Sequence, residues 1–302
     1  MTTSENATAT APPAADTAPP RSLARAGFWR RFRANRTAFV ALIVLAVIVL
    51  ASLAAPLIAP YSPEAIDVPR RLSLSTPAHW LGTDGLGRDT FSRLLHAGRV
   101  SLFAAAFAVA IATAIGVPLG LLAGYVGGKV DWLLGRAGDV LMTFPAIVLA
   151  IAIIAATGPG LQNAMIALGF VYAPRLFRVT RAATLSVRAE TYVEASISIG
   201  TPARRIIPRR VLPNVASPVL VQVSVMLAAA LLAEAALSLL GLGVTPPTAS
   251  WGVMLGSGFK EIRNAPLLVF WPGVAIALAT LAFNLIGDGL RDALGRQSRK
   301  AS

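Results

Sequence analysis

AFVALIVLAVIVLASLAAPLIA, residues 38–59, runs for 22 positions without a charged or amide side chain. A helix needs about 20 such residues to cross a hydrocarbon layer roughly 30 Å thick. Arg21, Arg25, Arg30, Arg31, Arg33 and Arg36 stand directly before it. A cleaved leader is the rival reading, with LAAP at 53–56 as its cleavage site, but the apolar run exceeds the roughly 7–15 residues of a leader's core. The run therefore reads as a first transmembrane helix. The whole chain agrees: 55% of its 302 residues are hydrophobic against 14% charged, with a mean hydropathy of +0.67. A soluble domain of that make-up would expose large apolar patches, so a lipid bilayer is the solvent this chain is built for.

Working outward, five more apolar stretches occur at about 100–124, 140–157, 161–177, 215–240 and 267–286, Pro174 and Arg175 interrupting the third of these. The expected fold is an all-α membrane protein with six transmembrane helices. If the arginine-rich start is cytoplasmic, alternation puts 20 Lys and Arg inside and 7 outside, as the positive-inside rule requires, with both termini cytoplasmic. The net charge of +13 thus reflects topology, not a nucleic-acid surface, since the basic residues lie between apolar runs. Residues 1–20 hold almost no large apolar side chain and are expected to form a disordered tail. The expected organisation continues with the basic segment and first helix at 21–60, an outer loop with an interfacial helix at 61–98, a core at 99–296 and a cytoplasmic tail at 297–302. No Cys is present, which excludes disulfides, thiolate metal sites and a Cys nucleophile. No repeat of 20–50 residues is visible, against a solenoid or a duplicated-half transporter.

The longest cytoplasmic loop reads RAATLSVRAETYVEASISIGTPARRIIPRRVLPN, residues 181–214. Two short helices are predicted. The first runs to Ile199 and stops at Gly200, the residue best suited to a left-handed helix end. Thr201 and Pro202 start the second as N-cap and first helical residue, Pro208 threatens to kink it, and Pro213 ends it before the next span. Tyr192, Val193, Ala195, Ile197, Ile199, Ile206 and Ile207 give the pair apolar faces among arginines. Such an elbow can insert into a groove on a soluble partner; a basic loop drawn to lipid headgroups is the plainer alternative.

Glu194-Ala195-Ser196, Gly200 and Leu212-Pro213 at these spacings resemble the EAA loop of ABC-importer permeases. The resemblance implies that Glu194, Ala195, Ser196, Gly200, Arg204, Arg205, Arg210, Leu212 and Pro213 form a coupling helix docked on a cytoplasmic ATPase. Ser196 replaces the family's usual second Ala, and Arg210 stands where peptide-importer relatives usually have His. On the outer side, HWLGTDGLGRDTFSRLLHAGRVS, residues 79–101, is similar to the signature of C-type permeases of dipeptide, oligopeptide and nickel importers. Its signature positions include Gly82, Thr83, Asp84, Gly87, Arg88, Asp89 and Arg93. No phosphate loop is formed, because no Lys-Ser/Thr follows these glycines. Gly82, Gly85 and Gly87 permit a compact turn. Phe91, Leu94 and Leu95 make an apolar stripe on an interfacial helix, along which Asp84 with Arg88, or Asp89 with Arg93, stand four apart. Further likeness lies at Asp131, Arg136, Asp139 and Pro145, at residues 233–255 and at residues 283–296, so it covers about 30–296. Gly135 sits where relatives commonly have Met.

Glu234 is the acid well inside an expected span, placed there either for a function or as a structural acid bonded to a neighbouring helix. His79 and His96 are too separated by a glycine-rich turn to make a convincing metal site. Neither a GxxxxGK[ST] loop, a GxSxG elbow nor an HExxH is present, so the chain is expected to be no enzyme and to need no cofactor or metal. The resemblance implies a type I (MetI-like) importer core with an added N-terminal transmembrane helix, multi-pass in the bacterial inner membrane. It implies pairing with a second, homologous permease, two cytoplasmic ATPase subunits and an external solute-binding protein. The expected cargo is a dipeptide or oligopeptide, with nickel or another small solute as the alternative within the family. From a different class, an ATP-independent secondary transporter would need broken helices paired across a repeat.

Overall fold

A computed structural model describes residues 21–295; the tails expected at 1–20 and 297–302 lie outside them. Among the described residues the chain is helical, apart from loops and one isolated antiparallel bridge between Thr83 and Asp89. Helix α1 covers Arg21–Ala34 and α2 Arg36–Leu53, the second capped by Asn35, whose side chain accepts from the Ala38 amide. The first apolar run was expected to 59, yet α2 stops at Leu53 and a separate turn, α3 (Ala55–Ile58), follows. Pro56 explains the break, since its ring has no N–H and crowds the carbonyl four residues back.

The expected interfacial helix is a correction. Residues Thr90–Val126 form one 37-residue helix, α4, that carries Phe91, Leu94 and Leu95 in its first two turns. Asp89 caps it, and no breaker stands between the stripe and the span, because Gly98 is packed against Ser52 and Trp251. Helices α5 (Gly128–Met142) and α6 (Ala146–Thr157) follow with a 91° bend between them. Then come α7 (Leu161–Arg188), α8 (Thr191–Ser198), α9 (Ala203–Ile206), a π-helical turn at Ile207–Val211, α10 (Leu212–Leu239), α11 (Trp251–Lys260) and α12 (Leu267–Gly295). Four of these runs are long and apolar enough to cross a membrane, namely α2, α4, α9 through α10, and α12; the bent pair α5–α6 makes a fifth.

Contacts between helices show why six stretches were legible although fewer pass on apolarity. Gly116, Gly120 and Gly124 of α4 meet Ala173 and Leu176, then Phe177 and Thr180, then Arg181 and Thr184 of α7. Both series ascend together, so α4 and α7 run parallel. Gly169 lies against Ala108 and Ile111, which puts the start of α7 level with about residue 103 of α4. The chain must climb back by 23 residues of helix, about 35 Å at 1.5 Å each, between Val126 and Leu161. Only α5 and α6 are available, so the bent pair is a return pass. Helix α7 can be polar because it is wrapped: Ala164, Leu168, Tyr172, Leu176, Thr180 and Thr184 along it are all buried.

Two ends of the bundle follow. Residues 61–89 sit at one, the loop end; α8 and α9 sit at the other, the elbow end. Ala38 and Phe32 touch Gly289, and Asn35 donates from Nδ2 to Asp292 at 3.0 Å, so both ends of the described chain lie at the elbow end. Outward-facing side chains such as Val47, Leu50 and Phe103 are at least 60% exposed, as a lipid-facing surface requires.

A Cβ at Gly120 would stand 2.6 Å from the Thr180 Cβ, whereas one at Gly135 would meet nothing within 4 Å. Gly120→Leu should therefore lower the melting temperature in detergent sharply, overpacking costing about 1–3 kcal/mol or more. Gly135→Ala should leave it unchanged or raise it, since Ala is the better helix former by up to about 1 kcal/mol.

Candidate functional site

The elbow is built as expected at its corner. Gly200 has φ +77°. Its amide donates to the Ile197 carbonyl at 2.9 Å, and that of Thr201 reaches back to Ser196 at 3.0 Å. These two bonds are a Schellman closure of α8. The start of the second helix is one residue later than expected, because Pro202, not Thr201, occupies the cap with extended backbone. Its end is a correction too. Pro213 does not stop it: α9 passes through the π turn straight into α10, as one 37-residue run from Ala203 to Leu239. In a π turn the amide of residue i bonds five residues back, as Leu212 does to Ile207. The wider turn accommodates Pro208, and Pro213 follows directly on it, where the winding changes from π to α.

Val193, Ile206 and Val211 close the elbow's interior. Arg210 bolts its two arms together, Nη1 donating to the Tyr192 carbonyl at 2.9 Å and to the Ser196 hydroxyl. Asn214 donates to the Tyr192 hydroxyl at 2.9 Å and to the Arg210 carbonyl at 2.6 Å. Burial pushes the Tyr192 phenol's pKa up, Glu190 adding and Arg210 opposing, so the hydroxyl stays neutral. Glu194, Ala195, Ile199, Gly200, Ala203, Arg204 and Arg205 face outward, and Ile199 is 78% exposed. Leu212 and Pro213 lie beside the bolt on the exposed side. Behind the elbow, Arg181 of α7 grips Asp131 of α5 through Nε and Nη2, the latter at 2.6 Å, and Arg178 holds Asp139 at 2.6 Å.

At the loop end the signature residues form a closed knot. Asp84 accepts from the Leu86 and Arg88 amides at 2.9 and 3.0 Å and from Arg88 Nε at 2.7 Å. Arg93 does not pair with Asp89 as the four-residue spacing suggested. Asp89 is committed elsewhere, its Oδ2 capping Ser92 at 2.7 Å and its Oδ1 facing His79 Nδ1 at 3.0 Å. Arg93 turns to Asp84 at 3.5 Å and donates to the Pro63 carbonyl at 2.7 Å. Thr83 donates to the Arg70 carbonyl and accepts from the Ser73 amide. Gly87 has φ +79°, and any Cβ there would collide with the Asp67 carbonyl; Gly82 is equally confined against Ser73. His96 bonds the Ser92 carbonyl instead of approaching His79, and no metal-ligating cluster exists among the described residues.

Glu234 is fully buried about 7 Å below the end of α10, five residues at 1.5 Å each. Ser101 of α4 and Ser238 of α10 donate to its two oxygens at 2.9 and 2.8 Å, and the Ser250 hydroxyl also faces it. Each serine oxygen in turn accepts a backbone amide, from Trp251, Val244 and Val253 respectively. One hydroxyl has one proton, so these amides direct all three serines toward the carboxylate. The acid is the hub joining α4, α10 and the cap of α11. Its serine partners carry no signal in the sequence, being ordinary residues at separations of 4 to 133 positions. Glu234→Ala should leave the hydroxyls without acceptors at about 1–3 kcal/mol in total or more, read as a lowered melting temperature in detergent; Glu234→Gln, which keeps one acceptor oxygen, should cost less.

A family model described as the binding-protein-dependent transport system inner membrane component matches residues 116–300. The N-terminal TM domain of oligopeptide transport permease C matches residues 25–77. The dipeptide transport system permease protein DppC of Alkalihalophilus pseudofirmus is 40% identical over 266 residues, 88% of each chain. The di/tripeptide permease DppC of Pseudomonas aeruginosa is 40% identical over 284 residues, 91% of this chain and 93% of the relative. The glutathione transport system permease protein GsiD of Shigella flexneri is 42% identical over 268 residues, 88% of each. Among solved structures, a chain of the MetNI methionine ABC transporter in inward-facing conformations superposes with TM-score 0.54 at 19% identity, covering 70% of this chain and 96% of that one; it shares the fold. With the model spanning more than half of its length, this chain belongs to the family of binding-protein-dependent transport system inner membrane components.

Proposed function

We propose that the chain is one permease subunit of an ATP-driven importer of short peptides in the bacterial inner membrane, and that the elbow is the surface through which an ATPase moves it. The observation that carries this reading is the bolted elbow. Its arms are locked by Arg210, its second arm is continuous with α10, and its outer face is exposed. A force on Glu194, Ala195 or Ala203 would be delivered to a spanning helix without loss in a flexible joint. The positive-inside bias puts the elbow and both termini in the cytoplasm.

The remaining partners follow from the family: a second, homologous permease to complete the pore, two ATPase subunits, and an external solute-binding protein. No nucleic acid is involved. The chain has no GxxxxGK[ST] loop, so it is not the enzyme, and hydrolysis belongs to the ATPases. The peptide assignment comes from the relatives, which are named for dipeptide, di/tripeptide and glutathione transport.

Glu194→Lys and Gly200→Pro should abolish ATP-dependent peptide uptake while leaving membrane insertion intact. Proline cannot take φ +77°, and the charge reversal changes an exposed docking face. Uptake at the normal rate by both variants would refute the coupling role. A cysteine at Ala203 should crosslink to the ATPase surface, and one at Ala78, at the loop end, should not. For the cargo, ATPase rates of the reconstituted transporter should rise with binding protein loaded with di- or oligopeptide; stimulation by nickel alone would reassign the substrate.

A further inference from the structure

Between α2, α4, α10 and α12 lies a cavity of about 790 Å³ that the coupling mechanism does not use. Its lining is sorted by depth. Glu64, His96 and Arg99 line it at the loop end, and Val49, Leu227 and Phe283 line it further in. Along α4, Phe103 and Ala106 lie about 6 and 10 Å beyond Arg99; along α2, Leu45 lies about 12 Å deeper than Leu53. A passage for peptides would need polar groups along its length, to replace water around each amide. A cavity polar at one end and apolar below fits an amphiphile.

The charges at the mouth narrow the choice. Arg99 and Glu64 are exposed, and neither joins an ion pair among the described residues. His96 donates from Nδ1 to the Ser92 carbonyl at 2.9 Å, which leaves Nε2 as its free ring nitrogen. A cation and an acid that line one rim without pairing with each other suit a headgroup carrying both signs. Glu64 can accept from a primary ammonium, which has three N–H donors; a quaternary ammonium has none and is held by aromatic faces. Of the aromatic lining residues, Phe283 lies deep and Phe103, on the outward-facing side, stands about 6 Å beyond Arg99, so neither is at the rim. We infer that this cavity seats one phospholipid with an ethanolamine headgroup, its phosphate on Arg99, its ammonium on Glu64 and an acyl chain running toward Leu227 and Phe283.

The test is native mass spectrometry of the assembled transporter in detergent, incubated with equal amounts of phosphatidylethanolamine, phosphatidylcholine and phosphatidylglycerol of matched chains. One ethanolamine lipid should be retained per copy of this chain. Glu64→Gln should lower the ethanolamine-over-choline ratio roughly tenfold, the scale of one charge-assisted contact, and Arg99→Gln should weaken retention of both. Equal retention of all three lipids by wild type and variants, or retention of peptide in their place, would overturn the inference. A second measurement needs no variant: ethanolamine lipid with a photoreactive acyl chain should label Val49, Leu227 or Phe283 of the wild-type protein. Labelling spread over Val47 and Leu50, on the open lipid-facing surface, would also overturn it.

Discussion

Three glycines at four-residue spacing hold α4 so close to α7 that a single methyl group would have to displace backbone or threonine atoms. In a bilayer there is no hydrophobic gain from hiding leucine from lipid, so helices associate by tight van der Waals packing between small residues. Gly116, Gly120 and Gly124 supply that contact, and Thr180 and Thr184 fit it with no exposure at all. Because the two helices run parallel, the chain between them must return across the bundle. The return pass through α5 and α6 and the placing of α8 and α9 at the end away from residues 61–89 follow from that constraint.

The polar groups are arranged around it with the same economy. Two arginines of α7 face Asp131 and Asp139 of α5, tying the return pass to the parallel pair where α7 leaves the core. Near the other end of α10, Glu234 gathers Ser101 from α4 and the serine that caps α11. Helix α10 is thus continuous with the elbow at one end and hydrogen-bonded into the loop end at the other. In the proposed mechanism, a displacement imposed at the elbow moves α10 and arrives at α4 and α11 through their packing on it and through the Glu234 carboxyl group.

Much of this was legible in the sequence because it rests on local chemistry. Apolar run length located the passes, and Gly200 announced its left-handed turn since few other residues tolerate one. The signature segment at 79–101 announced a compact knot. What could not be read depends on residues meeting from afar. The π turn that absorbs Pro208 and carries the elbow into α10 contradicts the local rule that proline ends a helix, and it is stabilised by packing around Val211 and by Asn214. Asp89 looked like a partner for Arg93 by spacing, but capping α4 and meeting His79 occupied both of its oxygens. Likewise, the serines around Glu234 carry no mark that distinguishes them from any others.

The two departures read from the resemblance, at Ser196 and Arg210, meet in one interaction. Ser196 stands where the family usually has Ala, and Arg210 where peptide-importer relatives usually have His. Here the Arg210 guanidinium reaches across the elbow to the Tyr192 carbonyl and the Ser196 hydroxyl. An alanine at 196 would offer that guanidinium a methyl group in place of an acceptor; a histidine at 210, shorter by several atoms, would not span the same gap. The hydroxyl also accepts in the geometry its backbone dictates, because Ser196 itself donates to the Tyr192 carbonyl one turn earlier. Both side chains therefore converge on the same carbonyl and on each other. Together they fix a corner from which Glu194 faces outward.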